Sequence, residues 1–386
     1  DRKKGSRNRA WRSFSWEQAA NQTRALAGNL AAMGIKPGDR VAVLSLNSPM
    51  TLALLFACAR IGAIISPLNW RLAGPEHNRM IADCTPKALF VGAEFIADVD
   101  GNRAEIDVPN FVALDGSNDG TPAGWLNLPE LVREFAGKSA ASVGQRDDAL
   151  VLCYTSGSTG VPKGVVLTQN AMQFNAINSV HMHGLVREDR VLTTLPLFHA
   201  GGLNIQTLPA LHLGATVTLQ RQFDPASTFD DLEEDNITLT VLVPAQMQAL
   251  VNHPRWHDAS LEQVRSVTTG STFVPHSLIE QFHAKSLPVI QVYGATETAP
   301  IAVYTTVDDA HGKIGSTGKS AIHCDIRLVD DDGKDVTQGA SGEIFVRGPS
   351  IMREYWKQPE VTRDVLDDQG WFKTGDAVTW VDESDP

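Results

Sequence analysis

The chain has 386 residues, and single hydrophobic cores stop growing at about 250–300, so two or three subdomains are expected. Hydrophobic residues make up 42% and charged residues 20%, which fits a globular protein and excludes a disordered one. A net charge of −12 leaves only local clusters to supply the basic face of a nucleic-acid binder, so no nucleic-acid partner is expected. The one obvious basic cluster, Arg2, Lys3 and Lys4 with Arg7, Arg9 and Arg12, reads as a solvated terminus.

In chain order, Ser15 and Gln18 have capping-box spacing for a helix over residues 16–33, with Ala20, Leu26, Leu30 and Met33 at helical intervals. Gly34 stops it, and Lys36-Pro37-Gly38-Asp39 turns the chain into a strand over 41–46. A helix over 49–61, a strand over 63–66, a helix over 75–83 and a strand over 88–91 continue the rhythm of a doubly wound α/β sheet. The most apolar stretch, residues 51–68, is broken by Arg60, Gly62 and Pro67, so it reads as a buried helix running into a strand; no transmembrane segment is expected. Residues 97–147 are rich in Gly, Asn, Asp and Ser and read as irregular connection with one helix over 128–135. The strand signal returns at 149–154, and α/β alternation runs to about residue 300. Beyond it, residues 326–329 and 342–346 read as strands joined through the turn Asp330-Asp331-Asp332-Gly333, which predicts a β-rich, barrel-like piece. The expected organisation is therefore two α/β subdomains, 1–150 and 151–305, packed together with a β-rich subdomain at 306–386. Cys58, Cys84, Cys153 and Cys324 have no zinc or redox spacing and read as buried, reduced thiols of a cytoplasmic protein; a hydrophilic N-terminus lacks the apolar stretch of a signal peptide.

The strongest chemical signal is Thr155-Ser156-Gly157-Ser158-Thr159-Gly160-Val161-Pro162-Lys163-Gly164, directly after a strand. Its glycines let the backbone approach a ligand, its N–H groups and hydroxyls donate, and Lys163 adds charge, all suited to a polyphosphate. It is not a Walker A loop, because no Gly-Lys-Ser/Thr occurs. Downstream, Tyr293-Gly294-Ala295-Thr296-Glu297-Thr298 follows an apolar strand, offering an aromatic face for a purine and a carboxylate for a hard cation. Gly342-Glu343-Ile344 with Arg347-Gly348-Pro349, and then Gly370-Trp371-Phe372-Lys373-Thr374-Gly375-Asp376, complete the series. His181-Met182-His183 lacks a third ligand among its neighbours and is not read as a metal site.

These segments, in this order, resemble the motifs of the adenylate-forming superfamily, which includes acyl-CoA synthetases, peptide-synthetase adenylation domains and firefly-type luciferases. The resemblance implies ATP, AMP and Mg²⁺ as nucleotide and cofactor, with CoA as co-substrate. It implies that Thr155, Ser156, Gly157, Ser158, Thr159, Gly160 and Lys163 cradle the phosphates and that Tyr293 stacks on adenine. Thr296 would meet the AMP phosphate, Thr155 and Glu297 would hold Mg²⁺, and Asp376 would bind the ribose hydroxyls. Gly270, Ser271 and Thr272 occupy the place of a loop lining adenine and acid, which in the family is richer in Gly, Ala and Pro; Gln291 and Gly294 join the nucleotide set. Pro196-Leu197-Phe198-His199-Ala200-Gly201-Gly202 resembles the segment beside the acid pocket, with His199 shaping or gating it.

The implied reaction is activation of a fatty or aromatic carboxylic acid as acyl-adenylate, with release of pyrophosphate, followed by thioester formation with CoA. The alternatives are another adenylate former (an o-succinylbenzoate-type ligase, a carrier-protein acylator or a luciferase-like enzyme) and a non-catalytic nucleotide-binding module. Family members continue past the Asp376 region into a small C-terminal domain, which is absent from this sequence. A homodimer is kept as an open expectation.

Overall fold

The computed structural model describes residues 13–114, 120–135, 137–138, 140–155 and 162–381. The basic cluster at 2–12 and most of the expected phosphate loop, residues 156–161, lie outside the described residues.

The helix expected over 16–33 runs Trp16–Ala32. Its reciprocal cap is formed: Gln18 N–H donates to Ser15 Oγ at 3.2 Å and Ser15 N–H to Gln18 Oε1 at 2.8 Å. Leu26 and Leu30 are fully buried on its inner face. Asp39 Oδ2 accepts from Lys36 N–H at 2.8 Å and closes the turn into the strand Arg40–Leu44. The next helix, Pro49–Ile61, begins on a Ser48 cap and stops at Gly62, whose φ of +73° favours a residue without a side chain.

The first sheet holds eight strands in the order Glu354–Tyr355, Lys163–Thr168, Ala149–Thr155, Ile64–Pro67, Arg40–Leu44, Ala88–Val91, Phe111–Ala113 and Leu126–Asn127. The six from Ala149–Thr155 onward are parallel, and the other two add antiparallel to that edge. The boundary expected at residue 150 thus falls inside a strand of this sheet, and a strand from beyond residue 306 completes its edge. Sheet membership follows hydrogen-bond partnership rather than chain order, which composition does not reveal.

The irregular reading of residues 97–147 needs correction. The helix Leu128–Glu134 is present, but Ile96–Gly101 is also helical, and Phe111–Ala113 and Leu126–Asn127 extend the sheet. Three or two residues are too few to display a period, so the strands are visible only through the neighbours they pair with.

The second sheet has seven strands in the order Lys319–Ser320, Val303–Tyr304, Val289–Tyr293, Ser266–Gly270, Leu239–Val241, Arg190–Thr193 and Thr216–Leu219, parallel except at the first two. A third, antiparallel sheet joins Asp325–Val329, Ser341–Arg347 and Phe372–Thr379. Its expected turn is shaped by Asp330, whose Oδ1 accepts from Asp332 N–H at 3.0 Å and Lys334 N–H at 2.9 Å. The architecture is the expected α/β one with a β-rich part beside it. All four cysteines are buried and free, and no described helix is long and apolar enough to cross a membrane.

Buried amides lock the loops between these layers. Asn47 donates to Leu195 O at 2.9 Å and Gln220 O at 3.0 Å and accepts from Leu197 N–H at 2.8 Å. Asn175 donates to Asn204 O at 2.8 Å and accepts from Ile301 N–H at 3.1 Å, which fixes the segment after residues 293–298.

The His181/His183 pair is structural. His181 Nδ1 lies 2.6 Å from the Tyr304 hydroxyl. His183 is buried between Ser179 and Thr268, and burial lowers its pKa to about 4. A folded-state value below the ordinary 6.5 means that the unfolded chain binds the extra proton between pH 6.5 and 4. The neutral ring's contribution is complete above pH 6.5 and falls away toward pH 4, by about 3 kcal/mol. His183→Leu is expected to be less stable at pH 7 yet to lose less over that window in urea melts. An identical pH slope in the two proteins would remove His183 as the cause.

Candidate active site

Three strand ends define the site. Thr155 ends a strand of the first sheet, and Gly270 and Tyr293 end neighbouring parallel strands of the second. Ligands of open parallel sheets bind at such carboxyl ends. Two of the glycines here are demanded by packing: a Cβ on Gly294 would stand 1.7 Å from Pro300 O, and one on Gly270 2.4 Å from Val292 O.

Tyr293 and Asp376 meet across the second and third sheets, with the tyrosine hydroxyl donating to Asp376 Oδ2 at 2.8 Å. Burial, with the nearby carboxylate, pushes the Tyr293 hydroxyl pKa up and keeps it a donor. Asp376 follows a sharp turn at Gly375, φ +76°, whose N–H donates to Glu343 Oε1 at 2.9 Å. Thr374 Oγ1 donates to Ile344 O at 2.8 Å and accepts from Asp376 N–H at 3.0 Å. The two late motifs read separately along the sequence are thus one hydrogen-bonded unit, on paired strands.

Thr296 and Glu297 lie on a short 3₁₀ turn directly after Tyr293, each 8% exposed. Glu297 Oε1 accepts from the Tyr355 hydroxyl at 2.7 Å, and Met352 N–H donates to Glu297 O at 2.7 Å. Burial and the Glu297 carboxylate raise the Tyr355 pKa, so the phenol stays protonated. The Lys163 ammonium lies over the other side of this arrangement, 4.9 Å from the Tyr355 ring centroid. Tyr355 therefore joins the lysine of the first motif to the glutamate of the second. Sequence reading missed it, because the pair Glu354–Tyr355 stands between motifs and carries no spacing signal; its seat is set by strand pairing with Val165 and Val166.

The remaining expected residues are dispersed around this centre. Ser271 and Thr272 are exposed beyond Gly270, with Ser271 at φ +72°. Gln291 is buried and its amide donates to Ser316 O at 2.6 Å. Thr155 Oγ1 lies 3.5 Å from Lys163 O. Ser156, Gly157, Ser158, Thr159 and Gly160 fall outside the described residues.

His199 caps the short helix Ala200–Asn204, its Nδ1 accepting from Gly201 N–H at 3.0 Å. Solvent reaches the ring, but the recess around it disfavours charge, and this desolvation with the Arg71 guanidinium lowers its pKa. Arg71 lies over Trp70 at 5.1 Å and Phe198 at 5.9 Å, forming an aromatic and cationic rim.

A cation at Glu297 is chemically reasonable. Tyr355 takes Oε1, and Oε2 makes no hydrogen bond among the described residues. No three His, Cys, Asp or Glu side chains converge among the described residues, so a cation there would draw its other ligands from phosphate, water and hydroxyls, the habit of Mg²⁺.

If Asp376 accepts the two ribose hydroxyls, as the motif implies, Asp376→Ala is expected to raise the KM for ATP about 10–100-fold. Initial rates at varied ATP check this; an unchanged KM would remove Asp376 from the nucleotide site.

A family model described as AMP-binding enzyme matches residues 3–356. The indoleacetate–CoA ligase of Aromatoleum aromaticum is 49% identical over 381 residues, covering 96% of this chain and 73% of that protein. A feruloyl-CoA synthase of Amycolatopsis sp is 38% identical over 372 residues, covering 95% and 71%. Among solved structures, the N-terminal domain of FACL13 from Mycobacterium tuberculosis superposes with a TM-score of 0.84 at 32% identity, covering 94% of this chain and 88% of that one.

Proposed function

The chain belongs to the AMP-binding enzyme family, and we propose that within it the protein activates an aromatic carboxylic acid with ATP and passes the acyl group to CoA. Its class is that of its relatives, an AMP-forming acid–thiol ligase. The observation that carries the reading is the junction of Lys163, Tyr355 and Glu297 beside the Tyr293–Asp376 pair, one group suited to polyphosphate and the other to a nucleoside. The aromatic preference draws support from the indoleacetate and feruloyl activities named for the two relatives, and from the aromatic rim at Trp70 and Phe198. A fatty acid is the competing substrate class.

The carboxylic acid is already ionised at pH 7, so the first step needs no general base. The difficulty is electrostatic: an anion must approach the α-phosphate of a polyanion. A carboxylate oxygen forms the bond to the α-phosphorus, the bond to the bridging oxygen breaks, and pyrophosphate leaves. In this reading Lys163 holds the departing phosphates, Thr296 meets the α-phosphate, Tyr293 offers its ring to adenine, and Asp376 accepts from both ribose hydroxyls. Mg²⁺ bound at Glu297 with Thr155 would neutralise phosphate oxygens there. The CoA thiol then loses its proton to solvent as its sulfur bonds the acyl carbon, the carbon–oxygen bond to AMP breaks, and AMP departs.

The test is pyrophosphate exchange by the full-length protein with a panel of aromatic and fatty acids, with and without CoA. Acid-dependent exchange, strongest with aromatic acids, and thioester product only when CoA is present are expected. Binding of ATP without exchange for any acid would overturn the ligase reading.

A further inference from the structure

The helix Gly74–Cys84 carries in its last turn a half-buried carboxylate that belongs to none of the motifs. Asp83 Oδ2 accepts from the Tyr154 hydroxyl at 2.6 Å. Burial pushes the Tyr154 pKa up, so the phenol stays a donor, and its other acceptor, Met80 O, stands off at 3.5 Å. The backbone of Asp83 is engaged as well. Its carbonyl accepts from the Trp356 indole N–H at 3.3 Å and from the Lys357 ammonium. Asp83 thus ties one strand by its carboxylate and another by its carbonyl.

Both strands carry residues of the proposed phosphate side, one position away. Tyr154 precedes Thr155, Gly164 follows Lys163, and Trp356 follows Tyr355. The three lie side by side: Tyr154 pairs with Gly164, and Trp356 N–H donates to Gly164 O at 2.7 Å. Gly164 leaves room for its neighbours, since a Cβ there would stand 3.1 Å from Trp356 Cβ and 3.3 Å from Tyr154 Cε1. Successive side chains of a strand point to opposite faces. Tyr154 and Trp356 therefore turn toward Asp83, and Thr155, Lys163 and Tyr355 turn to the other face, where Tyr355 meets Glu297. Thr155 and Lys163 are themselves a register pair, so a shift of Tyr154 is passed to both.

On the reading that Lys163 holds the departing phosphates, we infer that Asp83 is a positioning residue for adenylation, acting from the opposite face of the sheet through the Tyr154 hydroxyl. Its carbonyl anchors the strand of Tyr355 while its carboxylate sets Thr155 and Lys163 against that strand. Displacing a reacting group by about 1 Å can lower a rate by about 10²-fold, so a remote hydrogen bond of this kind is visible in turnover. The nucleoside side is built separately: Tyr293 and Asp376 meet across the second and third sheets. Loss of the Asp83 carboxylate should therefore separate the handling of the triphosphate from the binding of AMP.

The experiment measures acid-dependent pyrophosphate exchange at varied ATP, and the Kd for AMP, with the full-length protein. Asp83→Ala is expected to lower kcat/KM for ATP about 10–100-fold and to leave the Kd for AMP unchanged, which also reports that the variant is folded. Asp83→Asn keeps an acceptor for the Tyr154 hydroxyl and should recover most of the loss. Tyr154→Phe withdraws the same bond from its other end and leaves the helix end intact. It should reproduce the defect, and the Asp83→Ala/Tyr154→Phe double variant should be little worse than either single one. Wild-type exchange in Asp83→Ala or Tyr154→Phe overturns the inference and leaves the ligase reading standing. So do equal losses of ATP use and AMP binding, which mark a structural role, and additive effects in the double variant. Absence of exchange by the wild type with every acid overturns both.

Discussion

Replacing Glu297 by Gln is expected to lower acid-dependent pyrophosphate exchange by about 10²–10³-fold, the usual cost of removing one preorganised group that meets developing charge. The substitution isolates charge from shape. A glutamine Oε1 still accepts from the Tyr355 hydroxyl, which stands 2.7 Å away, and the backbone bond from Met352 is untouched. The fold should therefore hold, with a melting temperature within about 2–4 °C of the wild type. The negative charge is what disappears, and with it the proposed ligand for a hard cation. The rate should recover partly at raised Mg²⁺ if the carboxylate binds the metal, whereas an orienting role for the side chain would leave the deficit independent of Mg²⁺. Exchange within threefold of wild type at limiting Mg²⁺ would remove Glu297 from the site.

Much of this centre was legible in the sequence because local chemistry and local structure coincide there. The capping residue Ser15, the turn at Asp330 and the apolar strands before Thr155 and Tyr293 are signals spread over a few neighbours, and each appears where expected. The Asp376 motif was readable for the same reason. What escaped was non-local. Phe111–Ala113 is a strand because Ala88–Val91 pairs with it, and Glu354–Tyr355 completes the first sheet from the far end of the chain. Gln206 carries no motif at all. Its amide is oriented by hydrogen bonds that run from the Ser179 carbonyl through His183 and Thr268, three residues from two distant elements, whose order no spacing rule encodes. The pair His181 and His183 resembles a metal motif in sequence for the opposite reason: two alternating histidines look functional until each is seen against its own partner.

Lys163→Ala should lower adenylation by about 10²-fold or more and raise the KM for ATP, with little loss of stability. The ammonium is only partly buried, and no carboxylate stands within ion-pair distance of it among the described residues. Its partner is the face of Tyr355, 4.9 Å from Nζ, a contact worth about 0.5–1 kcal/mol at such a site. Removing the lysine therefore costs the fold little. It takes from the site a positive charge that no carboxylate among the described residues neutralises, which fits the proposed phosphate role. Tyr355 makes the argument sharper, since it holds both charges. Tyr355→Phe keeps the ring under Lys163 but withdraws the hydroxyl from Glu297, so it should disturb the response to Mg²⁺ more than the KM for ATP. Tyr355→Leu removes both supports and should disturb the two together. Unchanged turnover in Lys163→Ala would detach the lysine from the phosphates. Equal effects of the Phe and Leu variants would show that the ring is only packing.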